Sequence, residues 1–300
     1  MQTSLQIKTK PIKLLRWRKI PWTAVIFVMP SVAAFLLFKY YPFFQVFYMS
    51  LFDYKLVDGP GRFLGLDNYV LLLKSTTFWI AVYNTFAFFI LTLVFVFWVP
   101  IVQALFLNEI HRWNRFYRFM FLVPTAVPTI AGIILMKWIY NPDYGLLNGL
   151  LSKVGLGPYG WLSDPHMVKY AIVVPGIFGG GLGLLLYYSA LQGISKEIIE
   201  AAQVDGAGPW HRMRMILLPN LKFIIMIQFM LTLAITFLTF EHILVYTGGG
   251  PINSTRVIGL MVYETAFKEY RYGISGAISV IIFLIVGIIT YFQLKLSKVS

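Results

Sequence analysis

The feature that most constrains this chain is a series of apolar runs too long and too continuous to be hidden in a water-soluble core. Six segments, residues 22–38, 78–107, 116–140, 168–191, 222–246 and 274–294, are candidates to cross a bilayer, which takes about 20 mainly apolar residues per helix. The second is long enough to tilt or to run past the bilayer, and the first is short unless the aromatic stretch 40–47 extends it. Of 300 residues, 58% are hydrophobic and only 12% charged, whereas a soluble domain is about 45–50% apolar and about 25% charged. Backbone groups in lipid have no water to bond, so spanning segments are helices or closed barrels, and runs without strict alternation favour helices. The expected fold is all-α: a polytopic membrane protein with six transmembrane helices.

Charge orients the runs. The net charge is +13, but the cations cluster between apolar runs rather than on a polar domain. They mark cytoplasmic loops and exclude nucleic acid as a partner. Lys8, Lys10, Lys13, Arg16, Arg18 and Lys19 precede the first run, which lacks a small-residue cleavage site and reads as a retained helix. Arg112, Arg115 and Arg118 follow the second run, Lys196, Arg212 and Arg214 the fourth, and Lys295 and Lys298 lie in the tail. The other connections hold Asp53, Asp58, Asp67, Asp143, Asp164, Glu264 and Glu269. They also hold turn sequences: Asp58-Gly59-Pro60-Gly61, Asn141-Pro142-Asp143 and Gly248-Gly249-Gly250-Pro251. Both termini are then cytoplasmic. Residues 1–21 form a basic cytoplasmic segment, and 22–300 form one transmembrane domain with a cytoplasmic loop at about 192–221. With no cysteine, the chain has no disulfide, thiolate metal site or cysteine nucleophile.

That loop is unlike a simple connection. Its spacing predicts a short helix over 196–204, capped by Ser195, with Ile198, Ile199, Ala202 and Val204 available for an apolar face. Gly206 and Gly208 permit a sharp reversal, and Pro209 suits the first turn of a second helix. A compact helix–turn–helix of this kind suits docking into another protein. Ala201 and Ala202 permit close approach, and Glu200 and Asp205 supply anionic contacts.

The pattern Glu200-Ala201-Ala202, three residues, Gly206, nine residues, Ile216-x-Leu218-Pro219 resembles the cytoplasmic signature of permease subunits of binding-protein-dependent ABC importers. Asp205 and Ala207 match its extended form. Gly248-Gly249-Gly250-Pro251 and the segment 272–277 are similar to the carbohydrate branch, which includes maltose and glycerol-phosphate permeases. The resemblance implies the type I importer permease fold, a bacterial inner or plasma membrane location, and a loop seated in a groove of a separate ATPase through Glu200, Ala201, Ala202, Asp205, Gly206 and Ala207. It also implies the partners: a second, similar permease, two ATP-binding subunits, an extracellular lipid-anchored or periplasmic sugar-binding protein, and a sugar or oligosaccharide. The sequence has no Gly-x-x-x-x-Gly-Lys-[Ser/Thr] phosphate loop. No cofactor is expected in this chain, since ATP and Mg belong to the partner ATPase, and no enzymatic activity is expected.

The substrate pathway has weaker markers. Gln228, Thr232, Thr236 and Thr239 recur along one face of the fifth segment. Such a stripe faces a cavity, or bonds its own backbone and neighbouring helices. In the family, sugar contacts lie on the helix after the signature. Gly179 and Gly183, in the glycine-rich fourth segment, permit close approach of a solute or of a helix, and Tyr187 offers a ring for a sugar or for the membrane interface. Glu241 and His242 are an adjacent ionisable pair near the outer end of the fifth segment. Rival readings are an ion-gradient-driven secondary transporter, which favours intramembrane acids and broken helices, a membrane-embedded enzyme, and an ABC permease for a non-sugar solute. No paired carboxylates, metal-ligand spacing or nucleophile–base arrangement is present.

Overall fold

The computed structural model describes residues 22–297 apart from 56, 58 and 111. The basic segment 1–21, Asp58 of the first outer turn and Lys298 of the tail lie outside the described residues. The chain forms two compact units, one ending at Tyr48 and one beginning at Met49. Helix α1 (Trp22–Phe35) runs through a π-helical turn, Leu36–Tyr40, into α2 (Tyr41–Ser50). Val25–Ser50 is therefore a single apolar helix of 26 residues, long enough to span because the aromatic stretch extends it.

A short hairpin follows, β1 (Phe52–Lys55) and β2 (Gly59–Phe63), antiparallel with Phe52 opposite Phe63 and Lys55 opposite Gly59. The sequence pattern, read as all-α, did not anticipate it. Gly59 takes φ +72° at the turn, a left-handed conformation that favours glycine. Eight further helices follow in the second unit: α3 (Asp67–Leu73), α4 (Thr76–Phe95), α5 (Val99–Glu109), α6 (Asn114–Leu122), α7 (Thr129–Ile139), α8 (Leu146–Ser152), α9 (Val168–Val173) and α10 (Gly181–Gln192). Then come α11 (Lys196–Val204), α12 (Pro209–Arg212), α13 (Leu218–Leu238), α14 (Glu241–Tyr246), α15 (Ile258–Tyr263) and α16 (Tyr272–Ser297).

Among the described residues four helices are long and apolar enough to cross a membrane: Val25–Ser50, Thr76–Glu109, Pro209–Leu238 and Tyr272–Leu296. The expected third and fourth spans are each broken, so a count of six requires each bent pair to be one span. Asn114–Ala126 and Thr129–Ile139 meet at 90°, and Val168–Phe178 and Gly181–Gln192 at 45°. Proline causes both breaks, because it removes a backbone donor and clashes with the preceding turn. Pro124 opens a 3-10 turn, Val123–Ala126, and Pro128 precedes α7. Pro175 lies in the turn Val174–Phe178, after which Gly180 and Gly181 take φ +151° and +46°.

Helices in lipid gain nothing from leaving lipid, so their association rests on close packing and interhelical hydrogen bonds. One cluster joins α4, α13, α15 and α16 through Phe78, Ala81, Phe89, Leu233, Phe237, Ile258, Ala277 and Ile278. A second joins α5, α10 and the foot of α13 through Ile101, Ala104, Leu107, Leu184, Tyr187, Leu191 and Leu221. Phe229 packs against both. Close approach is visible where a Cβ on Gly183 would lie 3.2 Å from Pro100 Cβ.

Hydrogen bonds fasten the loops that the charge pattern leads one to expect outside. Asn84 Nδ2 donates to Asn253 O (2.8 Å) and Arg256 O (2.9 Å), and Ile258 N donates to Thr85 Oγ1 (3.0 Å). Asn148, buried in the loop after α7, donates to Tyr159 O (2.9 Å) and Pro142 O (3.3 Å). Its Oδ1 accepts from Tyr159 N (3.1 Å) and Trp161 Nε1 (3.0 Å).

Candidate functional site

Two features merit the name: the loop at 192–221, expected to be cytoplasmic and called the inner loop for that reason, and a cavity. The loop follows its sequence closely. Helix α11 covers Lys196–Val204. Gly206 adopts φ +80°, its N–H bonds Gln203 O (3.0 Å), and Ala207 N–H bonds Ala202 O (2.8 Å). That pair of bonds around a left-handed glycine is a Schellman motif, which satisfies the last carbonyls of α11 and turns the chain sharply. Gly208 then flanks α12, whose first residue is Pro209.

Two expectations for the loop need correction. Ser195 makes no cap hydrogen bond to the helix; its hydroxyl donates to the Glu197 carboxylate (3.1 Å). The expected single apolar face also divides. Ile199 packs inward beside Ile194 and Ile216, whereas Ile198 is 53% and Val204 88% exposed. Trp210, at the start of α12, is 72% exposed. Glu200, Ala201, Asp205 and Gly206 are exposed, with Ala202 and Ala207 half-buried beside them. An acidic strip bordered by exposed apolar side chains, with small residues at its centre, offers a partner a surface to approach closely.

The loop is continuous with the membrane part. From α12 a π-helical turn, Met213–Leu217, leads into α13, and Pro209–Leu238 is one apolar helix of 30 residues. Its C-terminal end reaches a cavity of about 650 Å³. The breaks of three segments meet around it. The third contributes Pro124, Thr125, Thr129 and Met136, the fourth Pro175, Gly176, Phe178 and Gly179, and the fifth Thr236, Thr239 and His242. Phe88 and Thr92 of α4, Val96 just beyond it, Ile243 and Tyr246 of α14, and Val257 also stand in the wall. Irregular backbone at membrane depth is tolerated where it lines a cavity or is buried in protein.

The structure divides the residues expected along the pathway. Thr236, Thr239 and Gly179 stand in the cavity wall. Thr239 lies beyond α13, in extended backbone at φ −76°, ψ 128°, so it is not on the helical face that the spacing predicts. Gln228 and Thr232 lie nearer the foot of α13, outside the wall. Gly183 is a packing glycine against Pro100. Tyr187 is 0% exposed in the core between α5 and α10, so in this conformation its ring meets neither solute nor membrane interface. The Thr232 and Thr236 hydroxyls donate to Gln228 O and Thr232 O, each at 2.8 Å. The backbone bonding expected of membrane threonines is therefore present, yet each oxygen still has lone pairs to accept from a solute.

Glu241 and His242 separate. Glu241 is exposed and accepts from Phe240 N (3.3 Å), while His242 faces the cavity. Sequence reasoning missed the wall contributed by the third segment. Its signal was the pair Pro124 and Pro128, four residues apart inside an apolar run. The wall holds no Asp, Glu, Lys or Arg. It offers apolar and aromatic surface with scattered hydroxyls and one imidazole, suited to a neutral solute rather than an ion. No group of three or more His, Cys, Asp and Glu able to hold a metal occurs among the described residues.

Comparisons with known proteins extend these observations. The family model described as "Binding-protein-dependent transport system inner membrane component" matches residues 104–297. The "Trehalose/maltose transport system permease protein MalF" of Thermococcus litoralis is 32% identical over 277 residues, covering 91% of this chain and 92% of that protein. The "Probable ABC transporter permease protein YurN" of Bacillus subtilis is 30% identical over 278 residues, covering 91% and 95%. A solved bacterial alginate ABC transporter, in complex with an alginate pentasaccharide-bound periplasmic protein, contains a chain that superposes with a TM-score of 0.82. The two are 25% identical over 91% of this chain and 92% of that one.

Proposed function

Because the chain belongs to the family of binding-protein-dependent transport system inner membrane components, we propose that it forms half of the translocation pathway of an ATP-driven sugar importer. The other half is a second, similar permease. Two ATP-binding subunits dock on the cytoplasmic side, and a sugar-binding protein, periplasmic or lipid-anchored, delivers the solute outside. The membrane is the bacterial inner or plasma membrane, with both termini cytoplasmic.

The observation that carries this reading is the loop of α11 and α12. It presents Glu200, Ala201, Ala202, Asp205, Gly206 and Ala207 on a turn that runs directly into the helix bearing Thr236. A rigid helix with one end at an ATPase and the other in the cavity wall converts motion at the first into reshaping of the second. Sugar as the solute is supported by the trehalose/maltose relative and by a wall of apolar surface and hydroxyls without fixed charge. A secondary transporter shares the broken helices of this fold. The wall, however, lacks the acids that ion coupling uses, and the inner loop has the form of a docking element.

The cavity assignment is tested at Thr236. In the assembled transporter, Thr236→Leu removes a wall acceptor and adds bulk. The expected result is a tenfold to hundredfold change in half-saturation, or an altered sugar range, from a loss of about 1–3 kcal/mol, with ATPase assembly unchanged. Uptake of every substrate at wild-type concentration dependence would mean that Thr236 serves packing alone.

A further inference from the structure

Helix α5 is tied at both ends to parts that the transport cycle must move. At its cytoplasmic end Glu109 Oε2 accepts from Arg212 Nη2 at 3.0 Å, joining α5 to α12 across 103 residues of sequence. The Arg212 side chain is 10% exposed and that of Glu109 44%. Two turns earlier, Gln103 Nε2 donates to Gly179 O at 2.8 Å, at the break of the fourth segment and in the cavity wall. Between these ties α5 is regular helix without glycine. It packs Ile101, Ala104 and Leu107, each at most 2% exposed, against α10. From Gln103 to Glu109 the helix rises about 9 Å.

Each tie is incomplete in this conformation. Arg212 Nε is buried without a partner among the described residues, so the ion pair uses one N–H where a guanidinium and a carboxylate favour two. Gln103 Oε1 is likewise buried without a partner and lies against Gly180, where a Cβ would overlap it. Buried polar groups are rarely left unpaired, and each such case calls for an explanation. A small rotation of α12 toward α5 would let Arg212 pair through both N–H groups. Withdrawal of Gly180 would free Gln103 Oε1 for another donor. Each end thus leaves one buried polar atom without a partner among the described residues in this conformation.

We propose that α5 is the coupling rod of this permease. Arg212–Glu109 passes displacement of the inner loop into α5, and Gln103–Gly179 passes it to the break of the fourth segment, opening or closing the cavity. Glu109 and Gln103 act as positioning residues, since both lie on α5, outside the turn between α11 and α12 and outside the cavity wall. The proposal rests on the reading of the inner loop as the ATPase-docking element.

The test uses the complete transporter, reconstituted in vesicles with its ATPase and binding protein, and measures solute imported per ATP hydrolysed. Glu109→Gln and Gln103→Leu act at opposite ends, so each stands if the other fails to fold. Each is expected to leave ATPase copurification and basal hydrolysis near the wild-type level and to lower solute per ATP about tenfold. The double variant should fall little further, because the two ties act in series. Wild-type solute per ATP in a folded, assembled single variant overturns the rod. Additive losses in the double variant overturn it too, as they would show two independent effects. Failure of the ATPase to copurify with the wild-type chain would instead remove the docking reading beneath it.

Discussion

Replacing Glu200 by alanine is expected to abolish ATP-driven uptake while leaving the chain folded and inserted. Glu200 is exposed in the middle of α11, and the substitution removes a charge without opening a cavity. Alanine is the best helix former, so α11 should persist. Any loss therefore reports on what docks against the loop. Truncating one member of a buried, hydrogen-bonded charge pair at an interface costs about 2–5 kcal/mol, or roughly thirtyfold to several thousandfold in affinity. Copurification of the ATPase should fall with uptake, and both should recover in Glu200→Asp more than in Glu200→Gln if the charge matters most. Full uptake in Glu200→Ala would count against this residue as part of the docking surface.

The second large effect is expected at Asn148. Asn148→Leu keeps the branched outline of the side chain but strands the Tyr159 N–H, the Trp161 Nε1–H and the Tyr159 carbonyl, which it bonds now. Each stranded buried group costs about 1–3 kcal/mol. Local stability of the loop at 141–163 should fall by about 3–5 kcal/mol, raising its opening roughly a hundredfold to a thousandfold or more. Hydrogen exchange at the Tyr159 amide, measured in detergent or nanodiscs, reads this directly. The α4 and α16 amides should keep their protection, since the core that holds those helices lies elsewhere. Unchanged exchange at Tyr159 would mean that the loop is held by its backbone turns and by the ring contact of Tyr140 with Trp161.

The inner loop was legible because its determinants are local. Gly206 and Pro209 punctuate the chain at fixed offsets, and helix boundaries and a left-handed turn follow from them without tertiary information. The break of the fourth segment was not anticipated, although Pro175 and the glycines around it mark its place: the run 168–191 was expected as one continuous span. The extension of the first span through Leu36–Tyr40 followed from continuous aromatic and apolar sequence. Thr239 fell off its predicted stripe because a helix ends there without proline or glycine to announce it. The Ser195 side chain makes no cap bond and donates instead to the Glu197 side chain two residues away, a choice of rotamer that the capping pattern does not carry. Tyr187 reads as a ligand-stacking or interfacial ring in sequence, and only packing between α5 and α10 turns it into core. The ties Arg212–Glu109 and Gln103–Gly179 join residues 103 and 76 positions apart, and no periodicity carries such information.

The central claim, that this chain couples to a separate ATPase through the turn between α11 and α12, is open to one direct measurement. The chain contains no cysteine, so a single introduced thiol is unique. Ala201→Cys places it on the exposed face of the loop, and Ile252→Cys, 90% exposed in the loop after α14, serves as the outer control. Native membranes are treated with a short thiol-to-amine cross-linker, and the products are identified by mass spectrometry. The account expects Ala201→Cys to join the chain to a subunit carrying a phosphate-binding loop, and Ile252→Cys not to. An assembled, transport-competent complex in which Ala201→Cys reaches no such subunit would contradict it.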